Sequence, residues 1–111
     1  MLRTIDRATV KALMNELKAG LRAMYGDRLR GLYLYGSYAR GEAEPESDLD
    51  VLIVLGGYDR YSAEIRRTSQ LISSLCLKYS ISVSRVFASE EKWRSYNSLF
   101  LRNARAEAIA A

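Results

Sequence analysis

Apolar residues at Val10, Leu13, Met14, Leu17, Leu21, Met24 and Tyr25 recur at the i, i+3, i+4, i+7 spacing of a helix with one buried stripe. The pattern predicts a helix from Asp6 to Tyr25, with Thr4 or Asp6 as N-cap. Gly26 and Gly31 bracket a short turn, and the run "LYLYG" then reads as a buried strand that Gly36 ends. From Ser37 to Ser47 the residues are small and polar, with Gly41 and Pro45 marking a loop that opens on a helical turn at Ser37 to Arg40. "DLDVLIVL" predicts a second strand, and Tyr61, Ile65, Thr68, Ile72, Leu75, Cys76 and Tyr79 predict a second long helix from Arg60 to Tyr79. "ISVSRVFA" alternates and is β-branched, hence a third strand. Ser89-Glu90-Glu91 suits a helix start, because a Ser cap and early acids satisfy free N–H groups and the helix dipole; the chain from there to Ala111 is expected to be helical. The order helix, strand, loop, strand, helix, strand, helix describes an α/β domain with a small sheet.

Composition narrows the chemistry. At 111 residues the chain is expected to form a single domain, residues 1–111, since this length supports one hydrophobic core. Cys76 is the only cysteine and histidine is absent, so a disulfide framework and a zinc site of the usual ligands are excluded within one chain. A metal here is a hard cation held by oxygen. The first twenty residues are apolar on one helical face only, which fits neither a signal peptide nor a membrane span and predicts a cytoplasmic protein with no membrane partner. Net charge is +4, with 9 basic and 5 acidic residues from position 57 onward. So modest a surplus is read as a solvated face, and no direct nucleic-acid contact is expected.

The unusual segment is "YLYGSYARGEAEPESDLDVLIVL", residues 33–55, where two acids interrupt an apolar run. Side chains alternate along a strand, so Asp48 and Asp50 project to one side, about 7 Å apart by the usual rise. Two carboxylates so placed repel each other and call for a cation; Mg²⁺ is commonly held by one or two carboxylates plus substrate phosphates. Gly36 and Ser37 offer the complement, a backbone that a ligand can approach closely and free N–H groups for anionic oxygens. Arg40 either meets phosphate or ties the loop down through Glu42 or Glu44. Taken alone, Asp48 in "PESD" is ordinary turn chemistry, Gly36 a strand terminator and Ser37 a helix cap. The spacing of all four together favours a site.

"GSYARGEAEPESDLDVLIV", residues 36–54, resembles the signature of the minimal nucleotidyltransferases of the DNA polymerase β superfamily: Gly-Ser, ten intervening residues, then Asp-x-Asp. The Ala-Arg-Gly after the pair, the Ser before the first Asp, the predicted element order and the small size also match. The resemblance implies a polymerase-β-like nucleotidyltransferase core, an α/β fold with a small mixed sheet flanked by helices. It implies that Asp48 and Asp50 are catalytic and bind Mg²⁺, and that Gly36 and Ser37, with Arg40, hold the phosphates of a nucleoside triphosphate, ATP as donor. Small members resemble antitoxins paired with HEPN-type toxin proteins, some silenced by AMP transfer onto tyrosine, so a protein acceptor is implied; transfer to a small molecule is the weaker alternative.

One feature departs from that signature. Active members carry a third carboxylate on the following strand, yet from Lys78 to Ser89 there is no acid. Ser82 and Ser84 share the face where it belongs, and a neutral hydroxyl is a poor Mg²⁺ ligand and a poor base. Three arrangements stay open: Glu90 or Glu91 reaches back, a second copy in a homo-oligomer or another chain donates an acid, or the domain binds without transferring. Among the aromatic residues, Tyr25, Tyr61 and Tyr79 are expected in the core, Tyr33 and Tyr35 over one sheet face, and Trp93, Tyr96 and Phe100 as a stripe on the last helix, with Trp93 in the core and Phe100 open. Arg102 and Arg105 read as a solvated face.

Overall fold

The computed structural model describes residues 4–95 and 98–111. Helix α1, Arg7–Tyr25, begins where the Asp6 side chain accepts the Thr9 N–H at 2.7 Å, and it buries Leu13, Met14, Leu17, Leu21 and Tyr25. Asp6 is the cap, and the predicted stripe is present except that Val10 is only partly buried and Met24 is exposed. A single tight turn, Gly26–Arg28, leads into β1, Leu29–Tyr35. The four-residue helix α2, Ser37–Arg40, follows, then β2, Leu49–Leu55, and the long helix α3, Tyr61–Tyr79. Strand β3, Val83–Ser89, runs parallel to β2, whereas β1 and β2 are antiparallel.

The end of the chain differs from the single helix expected of it. Helix α4, Glu90–Ser95, starts as foreseen, with Ser89 Oγ accepting the Lys92 N–H at 3.2 Å. A second cap then intervenes: Ser98 Oγ accepts the Leu101 N–H and starts α5, Leu99–Glu107. A two-residue strand β4, Ile109–Ala110, follows and pairs antiparallel with Tyr33 and Leu34 of β1. The sheet is therefore mixed and four-stranded, in the order β3-β2-β1-β4.

The alternation of β2 separates two cores. Leu49, Val51, Ile53 and Leu55 face α1 and α3, where they meet Leu17, Leu21, Ile72 and Phe87. Leu52 and Val54 face the other way, toward Leu101 and Ala104 of α5 and the partly buried Tyr33, Tyr35 and Trp93. With helices on both faces, β2 is apolar almost throughout, as a doubly covered strand must be. Tyr33 and Tyr35 do cover the sheet: Tyr33 packs on Trp93 with ring centroids 4.8 Å apart, and Tyr35 meets Phe100 edge-on at 5.7 Å. Trp93 is half-buried and Phe100 largely exposed; Tyr96 lies outside the described residues.

Tyr61 is a correction, since it is exposed and not core. Its hydroxyl accepts the Phe87 N–H at 3.1 Å, capping a backbone donor on the free edge of β3. The buried face of α3 holds Thr68, Ile72 and Leu75 as expected, with Glu64 added at its N-terminal end in place of Tyr61. Glu64 is buried because Tyr25 donates its hydroxyl to Oε1 at 2.6 Å and Arg67 approaches at 3.5 Å. A buried carboxylate needs such partners, and losing one costs more than the bond itself contributes. Tyr25→Phe is therefore expected to lower stability by about 1–3 kcal/mol in urea denaturation, while Leu77→Ala, at an exposed position, changes it by less than about 0.5 kcal/mol.

Candidate active site

The site forms where β1 ends and β2 begins. Tyr35 and Asp50 are register partners across the antiparallel pair, and Ser84 lies beside Asp50 on the other flank. Gly36 follows with φ +77°, a backbone region that side chains rarely adopt, and it is buried. A Cβ at this position would overlap Asp50 Oδ2 and lie 3.1 Å from Asp50 Cγ. Glycine is required twice over, by conformation and by the carboxylate that covers it.

The connecting loop is tied at both ends. The Arg40 N–H donates to Gly36 O at 3.1 Å, and Gly41, in the left-handed region, closes α2. Around Pro45, the Glu44 N–H donates to Ser47 Oγ and the Ser47 N–H to Glu44 O, each at 2.9 Å. Asp48 comes next, exposed and one residue ahead of β2 where the sequence pattern had placed it inside the strand. The Leu49 N–H then donates to Ser82 O at 2.9 Å, which anchors the start of β2 to the segment entering β3. Gly36, Ser37, Arg40, Asp48 and Asp50 are thus brought to one end of the sheet.

Charge at this end is unbalanced. Burial, and then the negative charge of Asp48, hold the Asp50 carboxyl above the usual carboxylate range; Arg40 pulls it down and Glu107 adds to the rise. Burial followed by the Asp50 charge pushes the Tyr35 hydroxyl up to about 12, so it remains protonated at neutral pH. Arg40 makes the loop contact, its Nε donating to Glu42 Oε1 at 2.7 Å.

Glu107 is the site residue that the sequence pattern did not disclose. At the last position of α5, its Oε1 accepts the Gly36 N–H and its Oε2 accepts Arg40 Nη1, both at 2.9 Å. The Arg40 hydrogen bond, then that from Gly36, hold its carboxyl below the ordinary range. A signal did exist, because an acid at a helix C-terminus opposes the helix dipole and asks for a tertiary reason.

The possibility that Glu90 completes the acid set is overturned by the register. Asp50 pairs with Ser84 and Leu55 with Ser89, a rise of five residues or about 16 Å, and Glu90 lies beyond that opposite end of the strands. There it meets Arg30 at 3.9 Å and Arg94 at 3.1 Å. Among the described residues, no three His, Cys, Asp or Glu side chains converge on a metal position. No helix among them is long and apolar enough to cross a membrane.

The geometry has counterparts. A family model described as "Nucleotidyltransferase domain" matches residues 14–103. The chain belongs to that family. It is 37% identical over 97 residues to the Methanocaldococcus jannaschii protein named "Putative protein adenylyltransferase MJ0604", covering 81% of this chain and 91% of the relative. Its fold is similar to that of a crystal structure described as a toxin-antitoxin with AMP-PNP, at a TM-score of 0.61 and 18% identity over 87% of this chain and 70% of that one. It is also similar to a complex of a tri-AMPylated Shewanella oneidensis HEPN toxin with an MNT antitoxin, at a TM-score of 0.55 and 15% identity, covering 90% of this chain and 69% of that one. The α/β architecture with its mixed four-stranded sheet is that of a minimal nucleotidyltransferase.

Because the folded state raises the pKa of Asp50, ionised Asp50 works against folding: its relative contribution is most favourable below the unfolded carboxylate range and is lost as pH rises through the folded value. Asp50→Asn is expected to raise Tm by a few degrees at pH 7, about the gain typical of relieving charge at a functional site, with the difference shrinking below about pH 4. Gly36→Ala is expected to lose more than about 1 kcal/mol, against little change for Gly57→Ala, where a Cβ meets nothing within 4 Å; thermal unfolding checks all three.

Proposed function

We propose that this nucleotidyltransferase moves AMP from ATP onto a protein acceptor, and that it serves as the antitoxin of a HEPN-type toxin. The observation that carries this is the Asp48–Asp50 pair beside the Gly36-Ser37 backbone, with the Asp50 carboxylate lying against Gly36. The names borne by its relatives and fold neighbours, a protein adenylyltransferase and antitoxins in complex with toxins, support the same direction.

The residues fit a hard cation. Asp50 is held above its ordinary range by burial and by Asp48, which is the repulsion that a bound divalent ion relieves. Asp48 and Asp50 would hold Mg²⁺ with phosphate oxygens completing its shell, and the ion would supply charge neutralisation at the α-phosphate and the leaving pyrophosphate. Gly36 and Ser37 position the phosphates through backbone N–H and hydroxyl donors, and Arg40 adds a charged donor at the rim. An acceptor hydroxyl oxygen attacks the α-phosphorus, the bond to the bridging oxygen breaks, and pyrophosphate leaves with the electron pair as the hydroxyl proton is released.

A second reading has its own observation. Ser84 occupies the sheet position beside Asp50, where the resemblance calls for a third carboxylate, and this favours a domain that binds nucleotide and partner without transfer.

The test is transfer of label from α-phosphate-labelled ATP with Mg²⁺ into proteins of the source cell. Label is expected on one protein, reduced by about 100-fold or more in Asp50→Asn, since metal ligands matter at least as much as the groups that orient them. Ser84→Asp is expected to increase it. No label from folded wild-type protein with its partner present, together with saturable MgATP binding, establishes the second reading instead.

A further inference from the structure

We propose that Glu107 is an internal competitor for the nucleotide: its carboxylate takes the place of a phosphate on Gly36 and Arg40, and ATP seats there only after the segment of residues 107–111 shifts. This rests on the reading of Gly36, Ser37 and Arg40 as phosphate contacts.

The contacts are those a phosphate would make. One carboxylate oxygen takes the Gly36 N–H and the other takes the Arg40 guanidinium, each at 2.9 Å. A backbone N–H has a single proton, so it cannot serve Glu107 and a phosphate fully at once. Gly36 is buried, which removes water as an easy substitute partner while Glu107 is in place. Glu107 also stands against its own helix dipole at the end of α5, so this contact, and not helix stability, accounts for an acid at that position.

Most of α5 is firmly held, with Phe100 against Tyr35 and Arg105 Nη1 donating to Trp93 O at 2.7 Å, whereas the chain from Glu107 onward is held lightly enough to release. Helix α5 buries Leu101 and Ala104, and β4 contributes two residues at the sheet edge. At the chain end, the Ala111 N–H donates to Leu32 O at 2.9 Å and Lys18 Nζ to Ala111 O at 3.0 Å. Short edge elements with exposed hydrogen bonds open at low cost. Once Glu107 has moved, Arg40 keeps its bond to Glu42 and presents its remaining N–H groups to an incoming phosphate. The apparent affinity for nucleotide is then the intrinsic one multiplied by the fraction of molecules in which Glu107 is displaced.

Calorimetric titration of MgATP into wild type, Glu107→Ala, Glu107→Gln, Glu42→Gln and Asp48→Asn decides it. Glu107→Ala is expected to bind about tenfold tighter, and Glu107→Gln by an intermediate amount, if wild type is about 90% closed. Glu42→Gln removes the same charge from beside Arg40 without touching Gly36, and is expected to gain less than about twofold because exposed charges are screened. By hydrogen exchange, MgATP is expected to speed the Ala111 amide in wild type, and in Glu107→Ala that amide is fast already. Equal affinities in wild type and Glu107→Ala, with binding abolished in Asp48→Asn, overturn the competition while the nucleotide site stands. Equal tightening in Glu42→Gln reduces the effect to charge and also overturns it. Absence of saturable binding in every folded variant removes the nucleotide site itself, and the competition with it.

Discussion

The carboxylate of Asp50 lying against Gly36 is the contact on which the rest of the site depends. It requires a glycine at position 36, a positive φ there, and a strand that presents Asp50 at this height. The strand is fixed from behind, because Leu49, Val51, Ile53 and Leu55 are fully buried against α1 and α3. A slip of one residue would turn Asp50 toward that core and exchange the side chains that fit the two differently shaped faces, so the packing of both cores holds the register. The functional geometry is thus enforced by residues that have no part in the chemistry.

Two carboxylates at the same end of the sheet are pushed in opposite directions. Glu107 lies below its ordinary range because Arg40 and the Gly36 N–H satisfy it, while Asp50 lies above because it is buried beside Asp48. In the proposed reading, the side that would meet phosphate is filled at rest and the side that would meet the cation is repulsive. Stability and readiness therefore oppose each other here, as at many sites where a charge is held in place before its ligand arrives.

Much of this was legible in the sequence for a physical reason. The helices α1 and α3 and the strands β1 to β3 follow from local periodicity, and Gly36, Ser37, Asp48 and Asp50 stand within fifteen residues of one another. Glu64 takes the buried place expected of Tyr61 because residues three apart lie on neighbouring parts of one helical face, and a buried acid looks polar until Tyr25 is seen beside it. Strand β4 has two residues, too few to show a period, and exists through its pairing with β1. Glu107 is separated from Gly36 by 71 positions, so only the fold could join them.

The register also bears on how the site would work in the proposed reading. Ser84 beside Asp50 leaves the pair of aspartates with one negative charge fewer than a three-acid set and with less mutual repulsion. Such a pair holds a divalent ion weakly by itself, and the phosphates of the nucleotide must supply the missing oxygens. Cation and nucleotide then each raise the affinity of the other, by the same factor in both directions. A site of this kind is selective for the complex of the two, and the substitution that weakens the metal centre makes its occupancy depend on the substrate.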